Sequence, residues 1–142
     1  MGYLDEYGEN EAKHERRIQA IKRAVVLLLI LLAAAGILYY WLKNYKEEKR
    51  VEAFLAALQR GDYAAAYTFW GCRVESPCPN YDYKGFLEDW GEKSAIGKLQ
   101  SYKLLNSHER GSGVIVTASL NGQPPVRLWV EKKDQILGFA PP

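Results

Sequence analysis

Two cysteines and two histidines are the side chains in this sequence whose chemistry is most readily named. Cys72 and Cys78 frame the segment CRVESPC, where Pro77 favours a tight loop. Such a pair reads as one disulfide closing a small loop in an oxidising compartment, with a free buried pair as the alternative. Two thiols with no histidine nearby do not make a structural zinc site, so no metal is expected. His108 lies in NSHERGSG, whose Gly and Ser content predicts a hairpin turn and a solvated imidazole rather than a general base. Asp82, Glu88 and Asp89 suit helix caps and surface faces as well as they suit acid–base work. Tyr67, Trp70, Tyr83 and Trp90 recur at helical spacing, which is first of all core spacing. The same four rings are the candidates for a small-molecule pocket or a partner face. His14 sits among Lys13, Glu15, Arg16 and Arg17, where a solvated role at lipid-headgroup level is the default reading. Docking of a cytosolic partner by this basic stretch is the alternative. No Ser/His/Asp set, phosphate loop or metal constellation stands out, and neither catalysis nor a cofactor is expected.

Charge excludes one further class. Nineteen basic and seventeen acidic residues leave a net charge of +2, and the two signs are interleaved. A nucleic-acid binder would need a basic stripe, so no nucleic-acid partner is expected. Aromatics make up 13% of the residues, which suits a small domain with a bulky core or a sticky face and does not choose between them.

These residues must be positioned by two very different parts of the chain. From Ala24 to Leu42 the run AVVLLLILLAAAGILYYWL carries no charge and no proline. At about 1.5 Å per residue it is long enough to cross a hydrocarbon core of roughly 30 Å, and it has no polar face to suit a buried soluble helix. Lys22 and Arg23 flank one end, while Tyr39, Tyr40, Trp41 and Lys43 flank the other, as a positive flank and an aromatic belt would. A cleaved signal peptide is the rival reading, with Ala33, Ala34 and Ala35 near a cleavage site. Asp5, Glu6, Glu9, Glu11 and Glu15 oppose it, because an n-region avoids acid, and the segment is expected to be retained. Ala33, Ala34, Ala35 and Gly36 form a small-residue patch against which another membrane helix could pack. Basic residues are nearly balanced across the span, so the positive-inside rule only leans towards a cytoplasmic N-terminus. The cysteine pair adds weight to that orientation.

Three regions follow: a cytoplasmic tail over 1–23, a transmembrane helix over 24–42 and an extracytoplasmic domain over 43–142. Residues 1–8 have two glycines and no helical period, which predicts an extended tip. A helix capped by Asn10 then runs with no proline towards residue 59, either continuously or with a break near Asn44. Val51, Phe54, Leu55 and Leu58 mark its apolar stripe, with Glu47, Glu48, Arg50 and Gln59 assigned to the other face. Gly61 and Asp62 predict a helix end and a new start, and Asp82 caps a third helix carrying Tyr83, Phe86, Leu87 and Trp90. After Gly97 the period changes to two. Strands are expected at 101–106, 114–120, 126–130 and 136–140, joined by short turns. The class is therefore α+β, with three helices on one face of a curved four-stranded antiparallel sheet behind the membrane helix.

The phrases VEAFLAALQRGDYAAAYTFW and VRLWVEKKDQILGFAPP, together with the element order, resemble the nuclear transport factor 2-like superfamily, the cystatin-like α+β cone, over roughly residues 46–142. The match rests on Gly61-Asp62 with Ala65, Ala66 and Tyr67, and on the closing pair Leu137 and Phe139. The resemblance implies a cone-shaped fold used by enzymes, secretion scaffolds and accessory domains alike. Its enzymes, such as ketosteroid isomerase and scytalone dehydratase, place Asp, His or Tyr inside the cone. A membrane-anchored form also looks like the inner-membrane component of type IV secretion systems. The expectation is a non-catalytic accessory or scaffold subunit of a bacterial inner-membrane complex, with other integral membrane subunits and the lipid bilayer as partners. A membrane-tethered domain for a small-molecule ligand is the alternative.

Overall fold

The computed structural model describes residues 2–142; Met1, the first residue of the expected tip, lies outside the described residues. The chain divides after Leu42 into two compact units.

The first unit is a single helix, α1 (Gly2–Leu42), with no buried residue. Its start corrects the expectation of an extended tip. Helix propagation adds a hydrogen bond for each residue fixed, and a long apolar helix downstream removes the cost of nucleation. Asp5 in the first turn suits the helix dipole, and the Tyr3 and Tyr7 rings meet at 6.1 Å one turn apart. Together these outweigh the roughly 1 kcal/mol that Gly8 costs relative to Ala. Asn10 is consequently an interior residue and not a cap.

The second unit begins with a turn at Lys43 and Asn44, so the break near Asn44 is the alternative that holds. It continues through α2 (Tyr45–Gln59), α3 (Tyr63–Thr68) and α4 (Tyr83–Trp90), then β1 (Tyr102–Arg110), β2 (Gly113–Leu120), β3 (Val126–Glu131) and β4 (Leu137–Phe139). The strands form one antiparallel sheet in the order β1-β2-β3-β4, which is the α+β class expected. Gly61 ends α2 at φ +73°, a conformation few other residues adopt cheaply. Asp62 Oδ1 then accepts from Ala65 N at 3.2 Å, and Asp82 Oδ1 from Gly85 N at 2.7 Å, so both short helices start on carboxylate caps.

The core lies between α2 and the inner face of the sheet. Val51, Phe54, Leu55 and Leu58 meet Val114, Val116, Ala118, Leu120, Leu128, Val130 and Leu137, all buried. One residue of β2 departs from the alternation: Ile115 points to the outer face and is still fully buried. Opposite it on β3, the Trp129 ring lies across Gly113, where an added Cβ would stand 2.3 Å from the indole. The strand β1 also differs from expectation, since it runs to Arg110 and ends on a turn at Gly111 and Ser112. His108 is thus an exposed strand residue paired with Ile115 and not a turn residue.

Cys72 and Cys78 are joined in a disulfide with their Cα atoms 5.3 Å apart. Closing so short a loop restricts the unfolded chain by roughly 2 kcal/mol. The double replacement Cys72→Ser/Cys78→Ser is expected to lose about that much, more if the Cys72 site tolerates a hydroxyl poorly, because Cys72 is only 2% exposed. Urea unfolding with and without reductant checks it: reductant should move the midpoint of the native chain and leave that of the variant unchanged.

Candidate functional site

The four candidate pocket rings are brought into one cluster as two pairs, Tyr67 with Tyr83 at 5.4 Å and Trp70 with Trp90, joined through Phe54 and Phe86. Tyr67 is fully buried; its hydroxyl donates to the Tyr81 carbonyl and accepts from Cys78 N at 3.3 Å, which ties α3 to the disulfide loop. Trp70 and Trp90 stand 6.0 Å apart, and both touch Phe54, at 6.1 and 5.1 Å between centroids. Tyr83 stacks on Phe86 at an interplanar angle of 12°. All four belong to the core or line it.

Two further rings join the four: Tyr81, which the sequence did not single out, and Phe139, which it marked only as part of the closing pair with Leu137. Tyr81 and Phe139 close the cluster, at 5.1 and 4.8 Å from Trp70. Phe139 stacks on Trp90 at 11° yet remains 55% exposed on the edge strand β4, and Ile136, just before that strand, is also exposed. The period-two register was the available signal, since it sends Leu137 and Phe139 to the same face. Tyr81 donates to Asp89 Oδ2 at 2.8 Å. Burial, and then that carboxylate, hold its phenol well above the ordinary range. The indole N–H of Trp70 finds no acceptor among the described residues.

A polar tie secures the start of α2 to the sheet. Glu47 was assigned to the exposed face, but it is 6% exposed and accepts from Gln135 Nε2 at 3.2 Å. Its position one turn before Val51 places it on the apolar stripe, which is why it is covered. Arg50 Nε donates to the Gln135 carbonyl at 3.1 Å, and Ser107 links Glu48 with Asn44. Lys43, expected at the membrane interface, reaches Glu109 at 2.8 Å, and Lys132 joins the same carboxylate at 2.5 Å. Lys132 first and Lys43 second hold Glu109 below the usual carboxylate range. These contacts are structural. Among the described residues no group of three or more His, Cys, Asp or Glu could hold a metal ion.

The remaining candidates lie on α1. Its best 18-residue window has a mean hydropathy of 2.5 with none of that window buried, so the helix is long and apolar enough to cross a membrane. Tyr39, Tyr40 and Trp41 are 70–78% exposed at one end of the apolar run, and Lys22 and Arg23 are exposed at the other. Around Gly36 an added Cβ would meet nothing within 4 Å, and Ala33, Ala34 and Ala35 are exposed beside it. His14 is likewise exposed.

The sequence and structure therefore define an α+β domain of three short helices and an open antiparallel sheet, following a long apolar helix. Comparison with protein-family models, with curated proteins and with solved structures finds no significant match.

Proposed function

We propose that the chain is a non-catalytic accessory or scaffold subunit of a bacterial inner-membrane complex. Residues 24–42 span the bilayer, the tail is cytoplasmic, and residues 43–142 form a nuclear transport factor 2-like domain in the periplasm or outside the cell. One observation carries the reading: every side chain of α1 is exposed, so its apolar surface has no cover within the chain. Lipid covers most of such a surface, and the small residues at 33–36 let a neighbouring helix approach closely. The disulfide supports an oxidising compartment for the domain. The filling of the space between Tyr67, Trp70 and Trp90 by Phe54 and Phe86 supports scaffolding over a ligand pocket between them, and the exposed Phe139 and Ile136 offer an apolar contact for a neighbour.

Replacing Ala34 and Gly36 together by Leu tests the assignment. The variant should remain in the membrane fraction and migrate on a native gel in mild detergent at the size of the isolated subunit. The wild-type chain should migrate in a larger assembly. Identical migration of the two would count against a helix-packed subunit.

A further inference from the structure

Charge is unevenly distributed along the part of α1 that precedes the apolar run. The five acidic residues of the tail lie at 5–15, whereas residues 16–23, RRIQAIKR, hold four cations and no acid. Arg16, Arg17, Lys22 and Arg23 are all exposed. Residues three and four apart on a helix are neighbours, and none of the four has an acid at either spacing. Glu15 adjoins Arg16 in sequence only, since residues one apart do not face each other. Among the described residues the one ion pair within α1 joins Glu9 to Lys13, outside this segment. Past the other end of the apolar run the cations are differently placed: Lys43 meets Glu109 at 2.8 Å and Lys49 meets Glu52 at 2.7 Å.

Three of these cations share a face with the start of the apolar run. At about 100° per residue, Arg16, Lys22, Arg23, Val26 and Leu27 fall within roughly 140° of arc, and Arg17 stands to one side. An open groove of about 420 Å³ is lined by Lys22, Arg23, Val26 and Leu27. Side chains on a helix tilt towards its N-terminus, so the stems of Lys22 and Arg23 carry their charged ends away from the apolar run and towards Arg16.

We infer that this face of α1 is a site for an anionic phospholipid. The negatively charged headgroup lies among Arg16, Lys22 and Arg23, and the acyl chains run along Val26 and Leu27. Two observations select this occupant: the charges on the face have one sign, and the apolar floor of the groove is continuous with the run that lipid tails cover. A soluble anion leaves Val26 and Leu27 uncovered. A zwitterionic lipid covers them but brings a cation of its own against the three. The inference deepens the proposed role and rests on the reading of residues 24–42 as a span. That reading sets Lys22 and Arg23 at headgroup level on the cytoplasmic side, where the leaflet carries the negative surface potential.

The test reconstitutes the full chain in phosphatidylcholine membranes that carry a trace of lipid spin-labelled on its acyl chain. Lipid held against the protein gives a motionally restricted component in the electron spin resonance spectrum. At physiological salt, labelled phosphatidylglycerol should associate at least about threefold more strongly than labelled phosphatidylcholine. The variant Arg16→Gln/Lys22→Gln/Arg23→Gln should lose that preference while its circular dichroism and its resistance to carbonate extraction stay unchanged. The control Lys43→Gln/Lys46→Gln/Lys49→Gln removes as many cations past the other end of the run and should keep the wild-type preference. Glycerol phosphate, a charged headgroup without tails, should not displace the labelled lipid. Equal association of the two lipids, an equal loss of preference in the control, or displacement by glycerol phosphate overturns the inference. A chain that restricts neither lipid refutes the span and this site with it, whereas equal association of both removes the site and leaves the span standing.

Discussion

Replacing Leu29 and Leu32 by Arg is expected to expel the chain from the membrane fraction. Both residues are about 60% exposed near the middle of the apolar run, with nothing in the chain to shield a charge. On an insertion scale an Arg at the centre of a spanning helix costs about 2.5–3.5 kcal/mol, whereas Leu contributes a few tenths in favour. Two replacements thus cost roughly 6–8 kcal/mol, enough to reverse the partition of a single span. Extraction with alkaline carbonate measures it: the wild-type chain should pellet and the doubly substituted chain should appear in the supernatant. A chain that remains embedded would mean that these residues do not face lipid.

The second large effect is in the domain. Phe54 is fully buried on α2, and its ring meets Phe69, Trp70, Phe86 and Trp90 at 5.1–6.3 Å. These four contacts join α2 to α4 and to the turn that follows α3. Phe54→Ala removes most of that surface and leaves a cavity whose rigid aromatic walls collapse poorly, at a cost of about 3–5 kcal/mol. Because whole domains are commonly stable by only about 5–15 kcal/mol, the variant should lie near the edge of folding. Unfolding of the full chain in mild detergent, followed by tryptophan fluorescence, checks it. Leu105→Ala is the control: Leu105 is 46% exposed at the β1 irregularity and should cost within about 0.5 kcal/mol. Equal losses for the two would mean that Phe54 is not the hub of the core.

Much of this architecture is written in local patterns. The uncharged run at 24–42 needs no context, because its length and composition alone suit a bilayer. Asp62 and Asp82 announce their helices since a cap is a local interaction between a side chain and a backbone N–H three residues on. The alternation in β2 predicts its inner face at Val114, Val116, Ala118 and Leu120. What the sequence conceals is decided by contacts distant along the chain. Ile115 looks solvent-facing until Trp129 is laid beside it from β3. His108 reads as turn until the pairing with β2 draws β1 on to Arg110. Glu47 is drawn inside by an amide from Gln135, far along the chain. The first turns of α1 carry glycines that locally disfavour helix, and the long helix behind them overrides that preference.

The candidate rings illustrate the same division. Helical spacing grouped Tyr67, Tyr83 and Trp90, which α3 and α4 turn inward, whereas Trp70 reaches the core from the turn after α3 ends at Thr68. The place of Phe139 and Tyr81 in that cluster comes only through the fold, which brings one from the last strand and one from the loop before α4.

A thiol-labelling measurement reaches the central claim, a membrane-crossing helix with the tail and the domain on opposite sides. Single cysteines are introduced at Tyr7 in the tail and at Lys133 in the domain, both exposed positions, while the native thiols stay closed in their disulfide. A membrane-impermeant maleimide applied to intact spheroplasts should label the chain carrying Lys133→Cys at once and the chain carrying Tyr7→Cys only after the membrane is opened. Labelling of both positions before opening, or of neither, would contradict the account.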